Sequence, residues 1–174
     1  MSDELQWMIE RQIPHLRRYA FALTRDRDTA DEIVQDCLER ALRKRHLWQR
    51  RGSIRSWLFR ILHRQSVNHF RRVRSDHVPA ETGVIDMMVA QPPDQEARME
   101  CLNMAEALDR LPAEQRAVVL FVALEGLAYD EVAEITGVPV GTVRSRLSRA
   151  RETLRLSREA APPERQAAKL RIVK

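Results

Sequence analysis

The chain has 174 residues, with 30 Lys and Arg against 25 Asp and Glu, 44% hydrophobic and 5% aromatic residues, and 5 glycines. That length holds one medium domain or two small ones with a packed core, and the low Gly, Ser and β-branched content argues against an all-β fold and for helices. The longest uncharged apolar run, Ala117–Leu124, is eight residues, whereas a membrane span needs about 20, so membrane insertion is excluded. The start, Met-Ser-Asp-Glu-Leu-Gln, is polar and charged, unlike a targeting segment. Cys37 and Cys101 stand far apart with no metal-ligand spacing, and His63 and His69 lack the i,i+4 separation of a helical metal site. No metal or other cofactor is expected, nor a disulfide framework, and a reduced, cytoplasmic interior is.

Charge is segregated along the chain. Residues 40–74 carry 12 Lys and Arg and no acid, while residues 75–97 carry five acids and no base, together with Pro79, Gly83, Pro92 and Pro93. The second stretch reads as a flexible acidic linker between two helical units. Its Val84–Val89 run is apolar apart from Asp86. Within 141–156 five arginines meet a single acid, Glu152, and Pro162 and Pro163 break the basic tail that follows. Two basic surfaces on a non-basic tether suit a protein that grips a polyanion at two places; two merely solvated faces would give the same counts.

In the first unit, Ile13, Leu16, Ala20 and Leu23 recur at helical intervals, and Asp26-Arg27-Asp28 makes a turn. Thr29 and Glu32 form a capping box that predicts a helix over 30–47, burying Ile33, Val34, Cys37, Leu38, Ala41 and Leu42. Its other face gathers Glu32, Gln35, Asp36 and Glu39. A solvated face is the simple reading, with a Glu39–Arg43 pair in support. The cluster also suits a basic protein surface and repels DNA. A third helix, about 54–73, buries Leu58, Ile61, Leu62 and Gln65 and presents Arg60, His63, Arg64, Val67 and Arg71, with Phe59 and Phe70 at the margin and Asn68 nearer the core edge. Arginines beside rings suit unpaired nucleic acid, charge following phosphates and rings stacking on bases; Trp57, Phe59 and Phe70 are equally at home in a core.

In the second unit Pro112 opens a helix that is apolar from Ala117 to Leu124 and ends near Gly126. A short helix over Tyr129–Ile135, a left-handed cap at Gly137 and a longer basic helix from Thr142 together read as a helix-turn-helix. In that last helix Val143, Leu147, Ala150 and Leu154 share the inward arc. Ser145, Ser148 and Arg149 then point outward with Arg144 and Arg146 flanking them, a set able to read base edges and hold phosphates in a major groove.

The strings Asp31-Glu-Ile-Val-Gln-Asp36, Ser56-Trp-Leu-Phe-Arg-Ile61, Leu111-Pro112 with Arg116, and Gly141-Thr-Val-Arg-Ser-Arg-Leu-Ser-Arg-Ala-Arg151 resemble the extracytoplasmic-function (ECF) sigma factors over about residues 10–74 and 98–156. The resemblance implies an all-α protein of two small helical domains, residues 1–74 as sigma domain two and 98–156 as sigma domain four, on either side of the 75–97 linker; the basic tail, 157–174, has no counterpart in it. It implies a non-enzymatic promoter-specificity factor whose partners are core RNA polymerase, through its clamp helices and flap, promoter DNA as duplex and melted strand, and an anti-sigma factor. Gln35 and Asp36, with Glu32 and Glu39 beside them, would dock on the clamp. The segment 50–72, with Arg60, His63, Arg64, Val67, Asn68 and Arg71, would bind the melted minus-ten element. Arg144, Ser145, Arg146, Ser148 and Arg149 would read the minus-thirty-five element. Arg64 stands where the family often has asparagine, and Ala128 where it has a capping serine or threonine. A linker of about 22 residues reaches roughly 70 Å, enough for two elements about 58 Å apart. A stand-alone helix-turn-helix regulator is the alternative, although it leaves the acidic face of the first unit without a role. A nuclease would need clustered carboxylates beside the basic residues, and here the two lie apart.

Overall fold

The computed structural model describes residues 2–48, 52–76 and 95–159. Most of the expected linker (77–94), loop residues 49–51 and the tail from 160 onward lie outside the described residues. The described secondary structure is helical throughout.

The first module is built from α1 (Ser2–Glu10), α2 (Ile13–Thr24), α3 (Arg27–Arg43) and α4 (Ile54–Asp76), with a 3₁₀ turn at Arg45–Leu47 after α3. Sequence spacing leaves α1 unannounced. Trp7 is exposed on it, and Ile9 is buried. Helix α3 starts three residues before the expected point because Asp26, in an extended conformation, is the true N-cap: its Oδ1 accepts the Thr29 backbone N–H at 2.7 Å. An aspartate is as good a cap as threonine and adds charge complementary to the helix dipole. Thr29 thus sits inside the first turn. Ile33, Val34, Cys37 and Ala41 are buried as the periodicity requires. Leu42 is not: it lies at the edge of that arc and is 49% exposed. The Cys37 thiol donates to the Leu58 carbonyl at 3.5 Å between α3 and α4, and burial pushes its pKa up to about 12. Cys37 is a small, protonated core residue.

The second module consists of α5 (Gln95–Asp109), α6 (Ala113–Val119), α7 (Tyr129–Thr136) and α8 (Val140–Glu159). Both α4 and α5 run into the stretch expected as linker, by two residues and by three. Helix α6 passes into a π-turn over Leu120–Leu124, closed by the Glu125 N–H donating to the Leu120 carbonyl at 3.1 Å. The widened turn ends at Gly126, which takes φ +64°. Ala128 cannot cap α7 with a side chain. Half of a capping box survives, since Glu131 accepts the Ala128 N–H at 3.0 Å. Gly137, at φ +72°, donates to the Ala133 carbonyl at 2.8 Å and turns the chain toward α8, a left-handed geometry that suits a residue without Cβ.

The two modules form one continuous core. Tyr19 of α2 stacks on Phe121 of the π-turn, with ring centroids 4.3 Å apart and planes 13° from parallel. Phe59 of α4 meets both rings edge-on at 5.6 and 5.7 Å, and His63 meets Phe121 edge-on at 5.7 Å. The sequence pattern leaves Phe59 either at the margin of a nucleic-acid face or in a core; it is fully buried. Its ring is spent on the joint between modules and is not a stacking platform for bases.

Candidate nucleic-acid interface

Helix α8 sorts its residues as the periodicity demands. Val143, Leu147 and Ala150 are fully buried, Leu154 is half-buried, and Arg144, Ser145, Ser148 and Arg149 are exposed. The arginine side chains at 144 and 149 have no hydrogen-bond or ion-pair partner among the described residues, so both guanidiniums are available to an incoming anion. The Ser145 hydroxyl donates back to the Thr142 carbonyl at 3.0 Å and keeps its lone pairs outward. Arg146, grouped with this set from the sequence, is held otherwise. It is half-buried and ion-paired with Glu114 of α6, which fastens the recognition helix to its own module. At the start of α7, Tyr129 borders a shallow groove with Arg144, Arg151 and Arg155 of α8. Glu152 and Glu159 clamp Arg155, at 2.8 and 2.6 Å.

On α4 the expected minus-ten residues fall into two groups. Arg64, Val67, Asn68 and Arg71 are exposed. Arg60 and His63, one turn earlier on the same face, lie against the second module. Arg60 pairs with Glu134 of α7 at 3.2 Å. The His63 ring packs on Phe121, and burial, helped by Arg146 and Arg64 nearby and opposed by Glu114, holds its pKa down at about 4. It is therefore neutral at physiological pH. Gln65, expected inside, is half-buried and accepts from Arg40 at 3.3 Å.

The acidic face of α3 is open. Glu32, Gln35, Asp36 and Glu39 are all exposed; Glu39 accepts from Gln35 at 3.3 Å and from Arg43 at 2.8 Å, while Glu32 and Asp36 have no partner among the described residues. A patch of unpaired carboxylates repels DNA, so this face is not part of a DNA surface, and it fits a cationic protein.

Spacing could not identify the most heavily engaged acid. Glu125 has a fully buried side chain: Arg55 of α4 lies 2.7 Å from it, and Arg18 and His15 of α2 lie 3.0 and 3.1 Å away. Its one signal in sequence is a lone charge closing an apolar run, which reads equally well as an exposed helix end. Arg55 also donates to the Glu125 carbonyl at 2.6 Å, and Arg18 to that of Leu124 at 2.9 Å.

A helix-turn-helix with an arginine-lined outer face, joined to a second all-helical module that carries a basic stripe and a separate acidic patch, defines a two-module transcription protein that works on DNA. Residues 9–63 match the family model of the Sigma2 domain of PhyR, and residues 101–154 match that of Sigma-70, region 4. The chain is 34% identical over 154 residues, 88% of its length and 84% of the relative's, to the ECF RNA polymerase sigma factor EcfG of Rhodopseudomonas palustris. It belongs to the ECF RNA polymerase sigma factors. The RNA polymerase sigma factor SigV of Bacillus subtilis is 30% identical over 139 residues, 80% of this chain and 81% of its own. Among solved structures, the sigma factor RpoE of Bartonella quintana in complex with the anti-sigma factor NepR aligns over 93% of this chain and 100% of its own, at 30% identity and a TM-score of 0.75. CnrH, in complex with the cytosolic domain of CnrY, shares the fold at a TM-score of 0.70 and 22% identity. No helix among the described residues is long and apolar enough to cross a membrane.

Proposed function

We propose that the chain directs core RNA polymerase to a signal-responsive set of promoters, with α8 on the minus-thirty-five duplex, the exposed part of α4 on the melted minus-ten strand, and the acidic face of α3 on the polymerase clamp. The division follows residues 1–74 and 98–156. Its chemistry is binding, in the cytoplasm and without cofactor. Capturing unpaired bases would draw the opening equilibrium forward, since unstacking costs a few kcal/mol. The second module would meet the polymerase flap, and an anti-sigma factor would compete for these surfaces. The observation that carries the reading is the outward row of Arg144, Ser145, Ser148 and Arg149 on one module while Glu32 and Asp36 stand exposed on the other, without a partner among the described residues. Run-off transcription with purified core polymerase tests it: promoter-specific initiation from core and this chain alone is expected, and its absence would leave the stand-alone regulator.

Arg149→Ala should weaken duplex promoter binding by about 1–3 kcal/mol and relax specificity at one base position, as read by binding to a panel of single-base operator variants. Loss of equal size on every sequence would assign Arg149 to the phosphates. Asp36→Arg, at an exposed site, should leave thermal unfolding unchanged and lower affinity for core polymerase at least tenfold, since like charges across an interface cost several kcal/mol. Undiminished assembly on a native gel would remove α3 from the docking surface.

The match of residues 9–63 to the Sigma2 domain of PhyR gives a second reading. A structure of similar fold is of the anti-anti-sigma factor PhyR complexed with NepR, and a chain working that way would bind an anti-sigma factor without initiating transcription. The exposed arginines of α8 favour the first reading, and the same transcription assay separates the two.

A further inference from the structure

Helix α8 has 20 residues and is about 30 Å long at 1.5 Å per residue, whereas a major groove is about 12 Å wide. Only part of the helix can lie among base edges. Its exposed arginines do not stop where the reading set of Arg144 to Arg149 ends, since Arg151, Arg155 and Arg158 continue toward the C-terminus. A rod of cations grips phosphates in any register. One exposed acid breaks the row. Glu152 follows Ser148 by four residues and Arg149 by three, on the outward arc that the reading set occupies, and it lines the groove beside Tyr129 with Ser148 and Arg151. Its carboxylate is held in place: Oε1 accepts from Arg155 Nη2 at 2.8 Å and Oε2 from Arg155 Nε at 3.1 Å. Glu159 accepts from the same guanidinium at 2.6 Å. The hydrogen bonds from Arg155 keep the Glu152 carboxyl below its ordinary pKa, so the charge is present wherever DNA is bound. Both oxygens are engaged within the helix, an arrangement poor for reading a base and good for repelling a phosphate.

We infer that Glu152 fixes the register of α8 on duplex DNA by penalising placements shifted toward the helix C-terminus, and so determines specificity without contacting a base. The inference rests on the assignment of α8 to the duplex. A slip by one turn, about 5.4 Å, carries Glu152 to the place that Ser148 holds. A hydroxyl able to donate to a phosphate is then replaced by a carboxylate that repels one. On the cognate sequence, base contacts from the reading set hold the helix one turn short of that placement. On unrelated sequence nothing holds the register, and the helix samples slipped placements in which each further arginine would gain a phosphate. The carboxylate therefore costs non-specific binding more than specific binding, which is discrimination by a repulsive element. Arg155, bound between Glu152 and Glu159, is at the same time withheld from the backbone.

The test compares two fluorescein-labelled duplexes of equal length and composition: one enriched from a randomised pool by the wild-type full chain, the other a scramble of it. Glu152→Gln, at an exposed position that leaves the core untouched, should raise affinity for the scrambled duplex at least fivefold and for the enriched duplex less than twofold. On the scramble, the slope of log affinity against log salt should steepen by about one, the mark of one more phosphate neutralised. Glu159→Gln removes the same charge and also one partner of Arg155, two turns beyond Glu152, and should change the ratio of the two affinities little; an equal fall there would reduce the effect to net charge and overturn the inference. Weaker binding of both duplexes by Glu152→Gln would make the Glu152–Arg155 pair a support of the helix end only. A loss confined to the enriched duplex would make Glu152 a reader of cytosine. Either result overturns the register role. Arg149→Ala in the same assay reports on the underlying assignment. If it weakens the enriched duplex while Glu152→Gln changes nothing, α8 reads DNA and the register role does not exist. If Arg149→Ala changes neither affinity, the assignment of α8 fails, and the inference with it.

Discussion

Phe121→Ala should lower the unfolding free energy by about 3–5 kcal/mol, and its effect should be felt in both modules. The ring is fully buried, stacked on Tyr19 and met edge-on by Phe59 and His63, so truncation removes three ring contacts, each worth about 0.5–1.5 kcal/mol beyond area, and leaves a cavity between elements far apart in sequence. Val143, buried on the inner face of α8 within the second module, provides the contrast. Val143→Ala removes less volume and should weaken the helix-turn-helix alone. Denaturant unfolding followed by the near-ultraviolet signal of Tyr19 and Trp57 in the first module, and by amide exchange in α8, distinguishes them. Phe121→Ala should separate the two probes into distinct transitions, because the shared core couples the modules. A loss below about 1 kcal/mol, with the two probes already following separate transitions in wild type, would mean that the joint contributes little and that each module stands alone.

Within each module, much was legible because local rules decide it. The inward arc of α8, the Gly137 turn and the buried stripe of α3 follow from a 3.6-residue period and from the one residue that tolerates positive φ cheaply. The strings that resemble sigma factors sit in these locally determined elements, so family and fold could be read together. The errors have local causes too. Asp26 displaced Thr29 as cap because both side chains can accept an N–H and only the backbone path selects one. Leu42 fell outside the core because an arc assigned by periodicity carries no information on where its edge meets a neighbour.

The joint was illegible for a different reason. Glu125 pairs with residues 70 and more positions away, and no periodicity carries contacts of that range. Phe59, Arg60 and His63 have the composition of a nucleic-acid face, and composition cannot distinguish a phosphate from a carboxylate of the same chain. Arg146 shows the same ambiguity at smaller scale. On a helical wheel it flanks the reading set, yet Glu114 of α6 claims it. Candidate residues were thus identified by chemical type, while their division into engaged and available required the tertiary structure.

That division has a pH signature at His63. With its pKa held at about 4 by burial, the His63 ring takes up its proton later in the folded chain than in the unfolded chain, where it titrates near 6.5. The unfolded state binds more protons in that window, so stability rises with pH. The contribution is complete above about pH 6.5 and is lost as pH falls toward 4, where it totals about 3 kcal/mol. At pH 5, above most of the carboxylate titrations, wild type should already have lost about 2 kcal/mol relative to pH 7.5 through this group. His63→Phe removes the titration while retaining an edge to set against Phe121, so the difference between the two proteins isolates the histidine from every other group that titrates. Urea midpoints for both chains at pH 7.5 and pH 5 supply the measurement. Parallel shifts would place His63 in water in the dominant form and the second module away from it. A selective loss in wild type, accompanied by a larger radius of gyration before unfolding, would instead locate the weak point at the joint, because protonation puts a cation beside Arg146 and Arg64 with only Glu114 to offset it.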